Sequence, residues 1–295
     1  MRVFLTGATG FIGSAIIPEL IAAGHEVLGL TRSDVGARAL SAAGAQAHRG
    51  DLEDLASLKS GAAQCGGVIH CAFDHDFSRF NENAEKDARA IEALGSALAG
   101  SDRPLIVSAG FPFGTPESAV TEDIPAPAQP PTPRISEQVA MALLSRGVSS
   151  AVVRLPQVHD TVKQGFVSLL IATAREKGVS GYVGDGLNRM PAAHISDVAR
   201  LYSLALDKHE PGARHHAVGE NGVRVKDIAE AIGRGLKAPV VSIAPEDAFA
   251  HFGFVGMFAG LDAPASSAKT QERLGWRPSG PGMIADLDKV RWFAG

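Results

Sequence analysis

The chain has 295 residues, of which 45% are hydrophobic, 20% are charged and 33 are glycine, a composition typical of a globular protein with a sizeable core. Its formal net charge of -4 provides no basic field that would hold nucleic acid or an anionic membrane, so we expect a small-molecule substrate. The chain contains no long apolar run and no signal-peptide pattern after Met1, so we expect no membrane span and a cytoplasmic location. Its two cysteines, Cys65 and Cys71, lack the spacing of a disulfide framework or a zinc site, and we expect no metal.

Short apolar runs alternate with helical stretches through the first half of the chain, which is the pattern of βαβ units and a parallel sheet. The predicted strands cover 2–6, 26–32, 45–50, 67–73, 104–110 and 151–156. The predicted helices cover 11–23, 34–43, 53–62, 81–100 and 136–146. The expected fold class is therefore α/β, a doubly wound parallel sheet of the Rossmann type, with a dinucleotide-binding core over 1–156.

Beyond residue 157 the pattern breaks into smaller pieces. We predict helices at 163–177, 196–208 and 226–236, and a strand at 181–184. We assign 157–295 mainly to a smaller C-terminal substrate-binding region, with elements that return to the core. The segment 247–261, rich in Phe, Gly and Met, is either a buried packing helix or an apolar lid over a substrate pocket. The proline-rich stretch 124–133 predicts a surface loop, because proline removes a backbone donor.

The strongest motif is TGATGFIG at 6–13, between the first strand and the first helix. Glycine at Gly7 and Gly10 lets the backbone approach a pyrophosphate, whose charge is stabilised by free N–H groups at the start of the helix. Glycine at Gly13 lets the helix pack closely on the sheet. The motif predicts a dinucleotide site, and its other cofactor-binding residues are Thr9, Phe11 and Ile12.

The end of the second strand indicates which dinucleotide binds. An NAD site usually has an acidic residue here, whereas this chain has Thr31 at that position and Arg32 and Ser33 after it. A guanidinium binds a 2′-phosphate through charge-assisted hydrogen bonds, so NADP(H) is the expected cofactor. The alternative is a solvated surface arginine beside Asp34.

The sequence GDL at 50–52 follows the third predicted strand. Asp51 is expected to accept a hydrogen bond from the adenine amino group, with Leu52 packed on the ring. Asp51 is alternatively only the N-cap of the helix that follows, and the two roles are compatible.

These motifs resemble the short-chain dehydrogenase/reductase superfamily, in its extended and atypical branches of NAD-dependent epimerase/dehydratase type. The resemblance spans nearly the whole chain through IHCAF at 69–73, VVRLPQVHD at 152–160, GYVGDGLNRMPAAHISDVARLY at 181–202 and RLGWRP at 273–278. It implies further cofactor contacts at Cys71, Ala72, Phe73, Ser108 and Pro156. It also implies a possible homodimer through the helices at 81–100 and 136–146, although the apolar stripe at 91–99 is equally suited to face the sheet.

The chain departs from this family at the catalytic residues. The family uses a tyrosine as general acid and, four residues later, a lysine that lowers the tyrosine pKa from its ordinary value of about 10. Aligning Ser136 with the serine that often precedes the lysine puts Pro133 and Glu137 at the two positions, and a shift of one puts Arg134 and Gln138 there. The family's catalytic serine position falls on Ala109, with Ser108 just before it.

Other groups are therefore needed if the chain catalyses a reaction. The sequence FDHDFSR at 73–79 supplies His75 as a candidate proton donor beside a carboxylate that would orient it or raise its pKa, or else forms a loop in which Asp76 or Ser78 caps the next helix. Ser108, Arg134 and Glu137 are the other tentative catalytic residues, although Arg134 and Glu137 are also suited to a structural ion pair. Five residues of the C-terminal region are further candidates to line the pocket: His159, Asp185, Asn188, Arg189 and His194.

The sequence leaves three functions open. The favoured one is an NADPH-dependent oxidoreductase that reduces a fairly apolar carbonyl or related C=X group with a non-standard acid. The second is a catalytically silent NADP(H)-binding regulatory protein, and the third is a nucleotide-sugar epimerase or dehydratase. The missing tyrosine and lysine weigh against the third function.

Overall fold

The structure is a computed structural model that describes residues 1–111, 119–130 and 132–292. Its strands are β1 (Arg2–Thr6), β2 (Glu26–Thr31), β3 (Gln46–Arg49), β4 (Gly67–His70), β5 (Ser101–Gly110), β6 (Val148–Leu155), β7 (Gln157–His159), β8 (Ser180–Val183), β9 (Arg189–His194), β10 (Arg214–His216), β11 (Glu220–Arg224) and β12 (Val240–Ile243). Its helices are α1 (Phe11–Ala22), α2 (Asp34–Ala42), α3 (Leu55–Ala63), α4 (Phe80–Leu98), α5 (Ser136–Ala142), α6 (Val167–Lys177), α7 (Ile195–Asp207), α8 (Val225–Leu236), α9 (Ala248–Phe252), α10 (Gly256–Ala259), α11 (Ala268–Leu274) and α12 (Met283–Leu287). Short 3-10 turns cover Phe77–Arg79, Leu143–Arg146, Pro245–Asp247 and Gly253–Val255.

The central sheet has seven parallel strands in the order β10-β6-β5-β4-β1-β2-β3, which confirms the doubly wound fold. Helices cover both faces, so strands such as β1 and β4 carry apolar residues on each side and are buried throughout most of their length. The strand order reverses between β1 and β4, where Thr6 pairs with His70. In open α/β sheets ligands bind outside the carboxyl ends of the strands at such a reversal.

The strands of the C-terminal region were mostly absent from the sequence prediction, although β8 and the three long helices were expected. A three-stranded sheet is ordered β11-β9-β7, and β12 pairs with β8. Strands β7, β10 and β12 have only three or four residues, too short for an alternating pattern to stand out. Helix α6 begins at Val167 rather than near 163, because Asp160 caps a turn through the Val162 and Lys163 N–H groups.

Two elements of the second half complete the Rossmann core. Strand β10 pairs with β6 at the edge of the central sheet, and α7 packs on α1. Trp276 lies after α11, is fully buried in the same apolar cluster as β1 and α1, and donates its Nε1–H to the Asp197 carbonyl at 2.9 Å. The core over 1–156 therefore depends on residues more than a hundred positions away.

Three further expectations concern helices and loops. Ile91, Leu94 and Leu98 on α4 are buried in the cluster beneath the sheet, so the stripe at 91–99 faces the core. The segment 247–261 forms α9 and α10 with short turns, buries Phe252 and Val255, and also lines a cavity, so both of its predicted roles are found together. The described residues of 124–133 form a loop without helix or strand. None of the helices in the described ranges is long and apolar enough to cross a membrane.

The position of Trp276 generates a stability prediction. Trp276→Ala should lower the free energy of unfolding by about 3–5 kcal/mol, because it opens a cavity in a closed core and removes an indole hydrogen bond. Urea unfolding followed by circular dichroism measures the change. Trp292→Ala is the control: Trp292 is only partly buried, so the loss should be clearly smaller. Equal losses would contradict a special role of Trp276.

Candidate active site

The turn between β1 and α1 is built on close backbone contact. Gly7 has a φ of +69°, and a Cβ at this position would lie 2.8 Å from the Ala72 nitrogen. A Cβ at Gly13 would lie 2.1 Å from the Gly7 carbonyl oxygen, and the Gly10 N–H donates to that same oxygen at 2.8 Å. These spacings leave no room for side chains, so the glycines are required by the turn itself and hold it against the end of β4.

The N-terminus of α1 is free to bind an anion. No side chain caps the helix, and its first turn has no acidic residue. Phe11 and Ile12 begin the helix half-buried, while Thr9 is exposed beside Gly10. Uncapped N–H groups together with the helix dipole stabilise a negative charge, so this turn fits a dinucleotide pyrophosphate.

The predicted 2′-phosphate contact lies at the end of β2. Thr31 is buried, whereas Arg32 is exposed and, within the described part of the chain, makes no hydrogen bond or ion pair. Asp34 lies 3.4 Å from Arg49, so the nearby acid is directed elsewhere. The Ser33 hydroxyl accepts from the Gly36 N–H at 3.0 Å and caps α2. Arg32 is thus open to a ligand.

The residues predicted to bind the adenine ring, Asp51 and Leu52, are arranged only partly as expected. The Asp51 carboxylate accepts from the Glu53 and Asp54 N–H groups at 2.7 and 3.0 Å, through one oxygen. The N-cap of α3 is Asp54, not Asp51, because the chain makes an additional turn before the helix. Leu52 packs on the apolar cluster behind the sheet. The second oxygen of Asp51 remains suited to the adenine amino group.

At the carboxyl ends of β4 and β5 the polar groups form hydrogen bonds with one another. The Ser108 hydroxyl donates to the His70 carbonyl at 2.7 Å and lies 2.7 Å from the Tyr202 hydroxyl. Burial raises the pKa of Cys71 to about 11 and raises that of Tyr202 well above its ordinary value. Ser108 is buried in contact with these two neutral groups, so the structure gives it a role in holding the strand ends rather than in touching a substrate.

Arg134 is the cation at this edge. Its guanidinium lies 4.1 Å above the Phe73 ring, donates through Nη2 to the Ser108 carbonyl at 3.2 Å and through Nε to the Ser136 hydroxyl at 2.9 Å. The Asp87 carboxylate lies 3.9 Å from Nε. About 20% of the side chain is exposed, and it lines the cavity described below. Burial lowers the pKa of Arg134 while Asp87 opposes that shift, and the guanidinium stays charged.

The structure gives Glu137 a different role from the predicted catalytic one. Its carboxylate binds Arg154 at 2.6 and 2.7 Å and Arg214 at 2.7 Å, and accepts the Ala126 N–H at 3.1 Å. The expected pair between Arg134 and Glu137 is therefore wrong. Burial raises the pKa of Glu137, but the Arg154 and Arg214 guanidinium groups outweigh it and hold the pKa below its usual value. A carboxylate fixed in this way neither donates nor accepts a catalytic proton.

His75 lies at the mouth of the site. It is exposed as a residue, but its ring contacts the Phe73 and Phe77 rings at 5.3 and 6.0 Å. Desolvation lowers the pKa of His75, and the charges of Arg134 and Lys163 lower it further, so the expected upward shift from neighbouring carboxylates is wrong. Asp76 accepts from the Ser78 N–H and caps the turn that follows, as the structural alternative predicted.

A cavity of about 290 Å³ opens beside Arg134. Its walls are mainly aromatic and aliphatic, and include Phe77, Phe80, Phe111, Leu155, Pro156, Phe166, Met190, Phe254 and Phe258. Arg134 and Glu137 are the two charged residues among the described ones that line it, and Glu137 is already paired. Phe77 and Phe254 stack across the mouth at 5.1 Å, which joins the loop after β4 to the segment at 247–261.

The five C-terminal candidates do not line this cavity, so that prediction is wrong. His159 binds Asp286, Arg189 binds Asp262, and His194 caps α7. Asp185 caps a turn through the Leu187 N–H, and Asn188 donates to the Ala259 carbonyl. Within 1–111, 119–130 and 132–292, no cluster of three or more His, Cys, Asp or Glu side chains is placed to hold a metal ion.

Sequence reasoning missed Asp87 and the phenylalanines that enclose the cavity. Asp87 stands three, four and seven residues before the buried Ala90, Ile91 and Leu94, so it occupies a core position of its helix. A charged residue in such a row is the signal that would have identified it. Lys163 was also missed: its ammonium lies 5.6 Å from the Phe11 ring centroid, near the pyrophosphate turn.

Comparisons with known proteins agree with this geometry. The pattern of the NAD dependent epimerase/dehydratase family matches residues 3–133. The chain is similar to an uncharacterised protein of Schizosaccharomyces pombe, with 46% identity over 99% of this chain and 100% of the relative. It is also similar to 4-hydroxy-2-methyl-3-oxo-4-farnesyl-3,4-dihydroquinoline-1-oxide ketoreductase of Stigmatella aurantiaca, with 27% identity over 82% of this chain and 76% of that protein.

Among solved structures, the chain resembles a dTDP-glucose 4,6-dehydratase from Streptomyces venezuelae with NAD bound. The TM-score is 0.76 at 20% identity, over 99% of this chain and 97% of the other. The chain belongs to the NAD-dependent epimerase/dehydratase family of short-chain dehydrogenases/reductases, which confirms the resemblance found in the sequence.

The Glu137 cluster generates a second prediction. Glu137→Gln should lower the free energy of unfolding by about 3–5 kcal/mol, because it leaves the buried Arg154 without a counter-charge. The contribution of Glu137 is present at neutral pH and is lost as the pH falls through its depressed folded-state pKa, so the variant should also lose stability less steeply on acidification. Urea titrations at several pH values measure both effects.

Glu92→Gln is the matched control for this prediction, since it removes an exposed partner of Arg146 and should change stability by less than about 1 kcal/mol. If Glu137 were catalytic rather than structural, Glu137→Gln would leave the free energy of unfolding unchanged.

Proposed function

We propose that the protein is an NADPH-dependent reductase of neutral, apolar carbonyl compounds, in which Arg134 takes over part of the role of the family's tyrosine. The observation that carries the proposal is the position of the Arg134 guanidinium, between the carboxyl ends of β4 and β5 and the wall of an apolar cavity. No tyrosine lines that cavity among the described residues.

Arg134 suits carbonyl activation because its donors are held in place before a substrate arrives. Nε and Nη2 are fixed by Ser136 and the Ser108 carbonyl, and the Phe73 ring supports the guanidinium plane. The other N–H groups of Arg134 have no hydrogen-bond partner among the described residues, and we propose that they bind a carbonyl oxygen. Preorganised donors in a largely apolar site stabilise developing negative charge more strongly than donors in water.

NADPH, when bound, supplies the hydride that reduces the carbonyl carbon. Arg134 donates hydrogen bonds to the carbonyl oxygen and stabilises the negative charge that develops there. The aromatic walls exclude bulk water from the reacting atoms. The completing proton comes from water at the mouth, because His75, with its lowered pKa, is largely uncharged near neutral pH and is a weak acid.

The preference for NADPH rests on Arg32. It is exposed at the end of β2, makes no hydrogen bond or ion pair among the described residues, and stands beside a buried threonine where an acid would favour NAD. The turn at Gly7 and the uncapped α1 fit the pyrophosphate.

The substrate class follows from the cavity walls. Six phenylalanines and several aliphatic side chains contact the space, so we infer a planar or branched apolar ketone or aldehyde. The Stigmatella aurantiaca relative is a ketoreductase whose named substrate carries a farnesyl group, which supports the same substrate class for this chain. A nucleotide sugar fits less well, because Arg134 is the only cation that lines the cavity in the described part of the chain.

The cofactor preference is tested by fluorescence titration with NADPH and NADH. Arg32→Gln should weaken NADPH binding by roughly tenfold to a hundredfold, as expected for loss of a charge-assisted phosphate contact, and should leave NADH binding nearly unchanged. Arg38→Gln, which removes an exposed arginine of α2, is the control. Equal weakening of both nucleotides would place Arg32 outside the 2′-phosphate site.

The role of Arg134 is tested by NADPH consumption at 340 nm with a panel of aryl and alkyl ketones and aldehydes. Arg134→Met should reduce kcat by about 10²- to 10³-fold, the usual loss of an oxyanion donor, with a smaller effect on KM. Arg134→Lys should retain part of the activity, and His75→Ala most of it. Collapse in His75→Ala alone would move the catalytic role to His75. Tight NADPH binding without turnover on any substrate would favour a catalytically silent regulatory protein.

A further inference from the structure

A buried chain of polar side chains stands behind Arg134. The Asp87 carboxylate accepts from His70 Nε2 at 3.0 Å through one oxygen and from the Ser136 hydroxyl at 2.5 Å through the other. Arg134 Nε lies 3.9 Å from the second oxygen. His70, Asp87 and Ser136 are each at most 2% exposed.

The chain of contacts ends inside the protein. His70 Nδ1 lies 2.8 Å from the Thr6 hydroxyl, which also accepts the Ala72 N–H, and Thr6 is fully buried. Nδ1 of the ring thus faces Thr6, and Nε2 faces Asp87. Thr6, His70 and Asp87 are buried, so these contacts do not form a proton route to solvent, and the cation that they meet at the cavity wall is Arg134.

Asp87 is a charged residue at a buried position of α4, where an apolar side chain would cost less to bury. Burial raises the pKa of Asp87, but the hydrogen bond and charge of His70, the Arg134 charge and the Ser136 hydroxyl together hold it below its ordinary value. A carboxylate is therefore present next to the guanidinium near neutral pH. The two charges compensate each other at the wall of the cavity.

We propose that Asp87 sets the charge preference of the cavity: by neutralising Arg134 it makes the cavity accept neutral carbonyl compounds and reject carboxylates of the same shape. An unpaired arginine in an apolar pocket would select a carboxylate, because a guanidinium binds two carboxylate oxygens at once. With Asp87 in place, an anionic ligand gains little attraction from Arg134 and still loses its hydration. The inference deepens the proposed function and rests on it.

Binding of a matched pair of ligands tests this inference. 2-Naphthamide and 2-naphthoate have the same shape and differ in charge, and their binding is followed by calorimetry or by naphthyl fluorescence. The wild-type protein should bind the amide more tightly than the carboxylate. Asp87→Asn preserves the size of the side chain and removes its charge, so the affinity for naphthoate relative to naphthamide should rise at least about tenfold.

The gain in carboxylate binding separates a charge role from a structural one, because a variant that merely loosens the site would lose affinity for both ligands. The double variant Asp87→Asn with Arg134→Gln should lose the gain, which assigns it to the guanidinium. Glu85→Gln, on the exposed side of the same helix, is the control and should leave the ratio unchanged.

Several results would overturn the proposal. These are wild-type protein that prefers naphthoate, a ratio unchanged in Asp87→Asn, or no binding of either ligand at millimolar concentration. The wild-type comparison stands even if Asp87→Asn does not fold. A parallel NADPH titration distinguishes the two proposals: a charge switch without NADPH binding would retain the role of Asp87 and remove the reductase.

Discussion

The hydrogen bonds to the Asp87 carboxylate connect three elements that meet at the carboxyl edge of the sheet. His70 ends β4, Asp87 belongs to α4, and Ser136 begins α5. Because a buried carboxylate without its partners would be strongly unfavourable, these elements are held in one arrangement. Arg134, two residues before α5, is thereby fixed over the strand ends. The position of Arg134 in the candidate active site thus depends on the burial of the Asp87 carboxylate.

Another buried carboxylate, Glu137, stands at the family's lysine position in one of the two alignments given above. Here it faces Arg154 near the carboxyl end of β6 and Arg214 at the start of β10, and so ties the edge strand of the sheet to α5. A lysine at this position would meet two arginines instead. In that alignment, the position of the family's lysine is occupied by a carboxylate that pairs with Arg154.

Much of the fold followed from local signals. The glycine turn, the long apolar strands and the amphipathic helices are encoded within a few consecutive residues, and their order fixes a doubly wound sheet. The site was less accessible to such reasoning. Arg134 was identified from its alignment position, but Asp87 and His70 act through contacts between residues distant in the chain. The pairing of Glu137 with Arg154 and Arg214 depends on which strands become neighbours, which no local pattern contains.

The burial of Trp276 has a consequence for how the chain is made. A ribosome releases the β1 and α1 residues long before Trp276, yet Trp276 closes the apolar cluster around them. Until that tryptophan emerges, one face of the sheet lacks part of its cover. The cluster around β1 and α1 is therefore incomplete until Trp276 has been synthesised, and chaperones have an opportunity to bind it during that interval.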